Sequence, residues 1–280
     1  MNNFRTWLLM GALTVLLVTA GNLIGGNTGM MIMVVFSILM NFSGYWFSDK
    51  IAISMTRSQP VEERDAPQLY AIVRSLSLRA GLPMPRIYMT PSAQPNAFAT
   101  GRDPEHAVVS VTDGLLRLLS QEEIEGVLAH ELAHVKNRDI LIGSMAAMMA
   151  GAITALANIA QWGLIFGFGR DDDDGALGIV GVLLTIIVMP IAAMIVQLAI
   201  SRSREYGADA TGARIAGRPE GLINALIKLE HGAESVPMDV NPAAAHMFIV
   251  NPLSGRSLAG LFSTHPPIPE RVARLKKAFE

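Results

Sequence analysis

Four long apolar blocks, each nearly free of charge, alternate with polar stretches along the chain: Trp7 to Ile24, Met30 to Phe47, Leu141 to Phe168 and Leu177 to Ile200. Each is close to, or longer than, the roughly 20 residues that cross a bilayer as an α-helix. Gly25, Gly26, Asn27, Thr28 and Gly29 separate the first two, which predicts a helical hairpin. Gly169, Arg170 and four aspartates, Asp171 to Asp174, separate the last two, and this acidic run reads as a solvated loop. Pro190 is a kink that a membrane helix tolerates. A cleaved signal peptide competes for the first block, because Arg5 precedes it and Val18, Thr19, Ala20 resembles a cleavage site. The apolar run continues past Ala20 to Ile24, which favours a span.

Between the second and third blocks the pattern becomes periodic. Asp49, Lys50, Arg57, Glu62, Glu63, Arg64 and Asp65 open a soluble segment. Leu69, Ile72, Val73, Leu76 and Leu78 then mark one face of a helix over 67–81, ended by Gly81. Short pieces at 86–89, 97–100 and 107–111, divided by Pro, Gly, Asn and Asp, predict a small antiparallel sheet. Ser120 and Glu123 form a capping box that starts a further helix, whose apolar stripe is Ile124, Val127, Leu128 and Leu132.

Composition fits a membrane protein: of 280 residues, 51% are hydrophobic and only 16% charged. Lys50 and Arg57 follow the second block and Arg202 and Arg204 follow the fourth, so the bias of positive charge places both soluble segments, and both termini, in the cytoplasm. The absence of cysteine excludes thiolate metal ligands, disulfides and a thiol nucleophile. A net charge of −2 argues against nucleic acid, and the lack of a phosphate-binding loop argues against nucleotide.

The capped helix carries His130, Glu131 and His134 in the order H-E-x-x-H. Residues four apart share a helix face, so the two imidazoles can offer nitrogens to one ion, and Glu131 beside them can take the proton of an attacking water. A half-exposed helix that carries these residues by chance is the plainer alternative, and with six histidines in the chain it is the weaker one. A catalytic zinc needs a third protein ligand. The extended H-E-x-x-H-x-x-G-x-x-H form is absent, since Asn137 and Ile140 hold its later places. The third donor must lie far away in sequence, and Glu205, just past the fourth block, is the candidate. Asp209, one turn beyond it, is placed to accept a ring N–H from a ligating histidine. Two histidines and one carboxylate also suit Fe(II). Asn96 to Thr100 is the candidate sheet edge on which a peptide could add as a strand through Asn96, Ala97, Phe98 and Ala99; an ordinary buried strand fits the same pattern. His106, His231 and His246 read as surface or structural residues.

With NAFATG at 96–101, HELAHVKNRD at 130–139, SRSREYGADATGARI at 201–215 and STHPPIPERVARL at 263–275, the chain resembles, over essentially its whole length, the HtpX-type membrane zinc metalloproteases of bacteria, relatives of the CAAX prenyl endopeptidases. The resemblance implies one Zn²⁺ held by His130, His134 and Glu205, Glu131 as general base and then proton donor, and Asp209 behind a ligand. It implies that His265 and Arg271 line the far side of the site, where His265 could donate to the oxyanion and Arg271 could orient a carboxylate. His265 also reads as a turn residue among Pro266, Pro267 and Pro269. It further implies polypeptide substrates, mainly misfolded or unassembled membrane proteins, cut at the inner membrane under stress.

The expectation is an α+β zincin-like (gluzincin) peptidase domain, mainly helical with a small antiparallel sheet, on a membrane anchor of four hydrophobic helices. Its parts are an N-terminal hairpin (1–47), a first catalytic part (48–140), a second hydrophobic hairpin (141–200) and a second catalytic part (201–280). A zinc-stabilised holdase without proteolysis, or a prenyl-protein processing enzyme, are the alternatives.

Overall fold

In the computed structural model the described residues are 2–146, 148, 149, 202–236, 238, 240, 242–252 and 266–280. Helix α1 (Asn2–Trp46) is helical throughout yet doubles back where Gly26 takes a φ of 56°. Only a residue without Cβ adopts that angle at no steric cost. Asn41 Nδ2 on the returning arm donates to Thr14 Oγ1 at 2.9 Å and to the Met10 carbonyl at 3.3 Å. Residues Gly26–Trp46 are long and apolar enough to cross a membrane, and Thr6–Asn22 form a shorter apolar helix. Of the expected second hydrophobic hairpin, 141–200, all but the first residues lies outside those described.

Helix α2 (Ser48–Thr56) leads into the sheet strand β1 (Gln59–Pro60), and α3 (Pro67–Ala80) follows with Gly81 as its left-handed cap. Strands β2 (Arg86–Thr90), β3 (Ala97–Thr100) and β4 (Val108–Thr112) complete a sheet of order β1-β2-β4-β3. The sheet is mixed, which corrects the antiparallel expectation: β2 runs parallel to β4, with Ile87 opposite Val109, while β3 is antiparallel to β4, with Ala99 opposite Val109. After β2 the chain passes to the far edge as β3 before returning through β4, so β2 and β4 enter the sheet in the same sense. Thr112 caps α4 (Asp113–Leu118) by accepting from Leu115 N–H.

Helix α5 (Gln121–Lys136) begins at the expected capping box, where Ser120 and Glu123 satisfy each other's backbone N–H groups. It is the centre of the packing. Its Val127, Leu128 and Leu132 are fully or almost fully buried in a cluster shared with α3, with α6 (Arg202–Ala216) and with α7 (Glu220–Ser235). Each such side chain contributes about 1.5–3 kcal/mol relative to exposure. Past α5, residues 140–146 are again helical, and Ile142 and Met145 pack with Leu13 and Leu17 of α1. The final helix, α8 (Ile268–Phe279), lays Ile268 and Leu275 on the main cluster.

Candidate metal centre

Close approach of α6 to α5 builds the site. A Cβ at Gly212 would lie 2.8 Å from both the Cα and the backbone N of His130, so only glycine lets the two helices meet there. Glu205, two turns earlier on α6, is thereby carried up to the histidine face of α5. His134 Nε2 lies 3.5 Å from Glu205 Oε1, His130 Nε2 lies 3.7 Å from Glu205 Oε2, and the two ring nitrogens are 3.2 Å apart. Four-coordinate zinc with bonds near 2.0–2.1 Å separates its ligands by about 3.3 Å. Among the described residues this is the one cluster of three metal-capable side chains.

The partners of the other ring nitrogens explain why the two Nε2 atoms converge. His130 Nδ1 lies 3.0 Å from Asp209 Oδ1 and His134 Nδ1 lies 3.3 Å from Asp139 Oδ2. Each carboxylate holds the proton on Nδ1, which leaves both Nε2 lone pairs aimed at one point. Two lone pairs at that separation repel unless a cation or a proton lies between them. The donor set therefore fits zinc.

Arg271, wholly buried, anchors this arrangement from α8. Its Nε and Nη2 fork onto Asp209 at 2.9 and 2.7 Å, and Nη1 donates to the Ile249 carbonyl at 3.2 Å. Burial works against ionisation of Asp209, yet the Arg271 charge and the bonds from His130 and Arg271 bring it down to about 2. In the metal-free site burial pushes His130 down to about 4, against the pull of Asp209. Burial would also lower His134, but Glu205, the bond to Asp139 and Glu131 outweigh it and hold the ring up at about 9. Burial raises Glu131 to about 7, with Glu205 adding to the rise and His134, Arg271 and the Ala99 backbone N–H opposing it. A carboxyl group poised near neutrality suits proton transfer in both directions.

The sequence-predicted residues thus fall into three groups. His130, Glu131, His134, Glu205, Asp209 and Arg271 are brought together. His265 lies outside the described residues. Ala97, Phe98 and Ala99 lie on the edge strand β3, with Asn96 just before it, but part of that edge is taken by the chain itself: Ala97 O accepts from Ile249 N–H at 3.0 Å. Asn96 Nδ2 donates to Val250 O at 2.8 Å while its Oδ1 accepts from Val250 N–H at 3.3 Å. Phe98 is buried against Phe248 at 5.1 Å between ring centroids, and Ala99 is half-buried. Asp139, which the motif spacing did not single out, joins the site behind His134.

Residues 63–279 match the family described as "Peptidase family M48". The chain belongs to that family. A relative named "Protease HtpX homolog" from Pelotomaculum thermopropionicum is 63% identical over 276 residues, 98% of each chain. A second of the same name, from Thermococcus kodakarensis, is 57% identical over 99% of this chain and 96% of that one. The crystal structure of S. mikatae Ste24p superposes with a TM-score of 0.53 at 22% identity, covering 95% of this chain and 62% of that one, a likeness of fold. As an M48 zinc metallopeptidase, the chain has His130, His134 and Glu205 as its metal site.

Proposed function

We propose that this M48 metallopeptidase is an integral-membrane endopeptidase that cleaves misfolded or unassembled membrane proteins at the cytoplasmic face of the inner membrane, without nucleotide, as part of envelope stress control. The observation that carries it is the packing of the segment that follows the metal helix on the apolar anchor: Ile142 and Met145, shortly beyond His134, pack on Leu13 and Leu17 of the N-terminal hairpin. Leu141, the start of the third apolar block, comes only seven residues after His134, with the turn at 137–139 between them. Chains emerging from the bilayer would meet this site first. Lys50, Arg57, Arg202 and Arg204 beside the apolar blocks support a cytoplasmic catalytic domain on several spans.

Bound at the three ligands, zinc supplies Lewis-acid polarisation of a scissile carbonyl and acidifies water. Glu131, buried beside the ligands, takes the proton of the attacking water and returns it to the departing amine. Asp209 and Asp139 hold their histidines as neutral donors, and Arg271 neutralises Asp209 so that two buried carboxylates do not repel across the site. Residues further along β3 than Ala97 are where a peptide strand would add, with Ala99 next to Glu131. His265 is assigned to the oxyanion side on the resemblance of its HPP segment alone.

The test is cleavage of casein and of an unfolded membrane protein by detergent-purified protein, stripped of metal and then given Zn²⁺. Restored cleavage, with Glu131→Ala binding zinc and not cutting, supports the proposal. Cutting by Glu131→Ala at the parent rate removes it. Preference for the membrane protein over casein supports the substrate class, and equal rates on both would set that part aside.

A further inference from the structure

We propose that Asp139 is a positioning residue for His134, held at the ring by the left-handed turn through Arg138 that ends the metal-bearing helix. On a continuing α-helix, residue 139 would sit five places after His134 and about 140° around the axis, far from the ring. The helix does not continue. Arg138 takes a φ of 57°, one of two non-glycine residues with positive φ among those described. Its N–H donates to Val135 O at 3.1 Å, and Asp139 N–H donates back to His134 O at 2.9 Å. This paired pattern is a Schellman ending, in which the residue two beyond the cap folds over the residue three before it.

In such an ending those two residues usually meet through an apolar contact. Here the contact is polar: Asp139 Oδ2 lies 3.3 Å from His134 Nδ1. The same turn therefore stops the helix and fixes which nitrogen of His134 carries the proton, turning Nε2 toward His130 and Glu205. The left-handed position is glycine's by steric preference, and a long unbranched arginine tolerates it better than a β-branched residue. Asp139 is itself buried, and beyond it Ser144 meets Thr100 of β3 at 2.7 Å, so the turn is fastened on its far side as well. His130 takes its orientation from another source, Asp209 on α6 with Arg271 behind it. The two ligating histidines are thus aligned independently.

This rests on zinc as the resident metal. The experiment uses the full chain in detergent, with zinc affinity measured against a chromophoric chelator, the visible spectrum of the Co²⁺-loaded protein, and thermal unfolding of the metal-free protein. Asp139→Ala should weaken zinc binding roughly 10- to 100-fold, alter the Co²⁺ bands, and leave metal-free unfolding near that of the parent. Asp139→Asn, which keeps an acceptor oxygen, should fall between the two. Arg138→Gly should bind zinc as the parent does, and Arg138→Val should shift affinity in the direction of Asp139→Ala. Parent-like affinity and Co²⁺ bands in Asp139→Ala overturn the positioning role. Parent-like affinity in Arg138→Val overturns the part assigned to the turn. Failure of the parent itself to bind zinc overturns the zinc reading and this inference together.

Discussion

Replacing Gly212 by alanine tests the idea that a close helix crossing sets the size of the metal site. Two effects oppose each other. In a helix interior alanine is favoured over glycine by about 1 kcal/mol. Against this, the new Cβ would lie 2.8 Å from two backbone atoms of His130, whereas ordinary contact begins at 3.4 Å, so α6 must withdraw by about 0.6 Å. Overpacking of this kind costs about 1–3 kcal/mol. Metal-free stability should therefore fall by about 0–2 kcal/mol. Withdrawal carries Glu205 away from histidines that already lie 3.5 and 3.7 Å from it, and bound zinc must pull it back. If zinc has to re-impose a strain of about 1–3 kcal/mol, its Kd rises about 5- to 150-fold. Chelator competition and metal-free thermal unfolding measure both quantities. Gly207→Ala, on the same helix with no atom within 4 Å of a new Cβ, is the control and should stabilise without touching zinc affinity. Were Gly212→Ala to stabilise the protein and bind zinc as the parent does, the crossing would have no bearing on the site.

Further outcomes follow from the same geometry. Glu131→Gln should retain zinc within a few-fold and lose cleavage by at least about 10²; preserved turnover would remove Glu131 from proton transfer. Because His134 in the metal-free site keeps a proton up to about pH 9 and the metal needs its lone pair, zinc affinity should rise with pH from 7 toward 9, approaching tenfold per unit. A flat chelator titration across that range would contradict this. Arg271→Met strands the buried Asp209 carboxylate and should destabilise by about 3–5 kcal/mol, read as a fall in the denaturation midpoint. Asn96→Ala leaves the Val250 backbone N–H and C=O without their side-chain partners, at about 1–3 kcal/mol; hydrogen exchange at Val250 should speed up, and unchanged exchange would show that the clamp is not formed in solution.

Much of the site was legible from residues that act within one helix. The capping box at Ser120 and Glu123, the apolar stripe and the spacing of His130 and His134 are all local, and α5 formed where they placed it. Glu205 could be paired with them only by assuming that the two helices flanking the hydrophobic hairpin are neighbours, an assumption that the Gly212 crossing satisfies. The two-residue strand β1 carries no alternation by which it could be found. Strand periodicity reports which residues face a core and says nothing of the partner strand, hence the missed parallel pairing of β2 with β4. Asp139 was overlooked because helical spacing points it away from His134, and only a left-handed turn at an arginine, where glycine is the usual signal, reverses that. The occupied part of the β3 edge depends on Asn96 meeting Val250, 154 residues away, which no local pattern encodes.

The order in which the site's parts are synthesised differs from the order in which they act. Both histidines leave the ribosome early, but Arg271, which holds Asp209 against His130, comes 141 residues after that histidine. At about 5–20 residues per second, roughly 7–28 s pass before the buttress exists. Through that interval His130 has no Arg271 behind its Asp209 partner. Late arrival of α8 therefore delays completion of the metal site until the chain is nearly finished. Chains ending before Ile268 should then bind zinc more weakly than the full chain, and equal affinity would refute it.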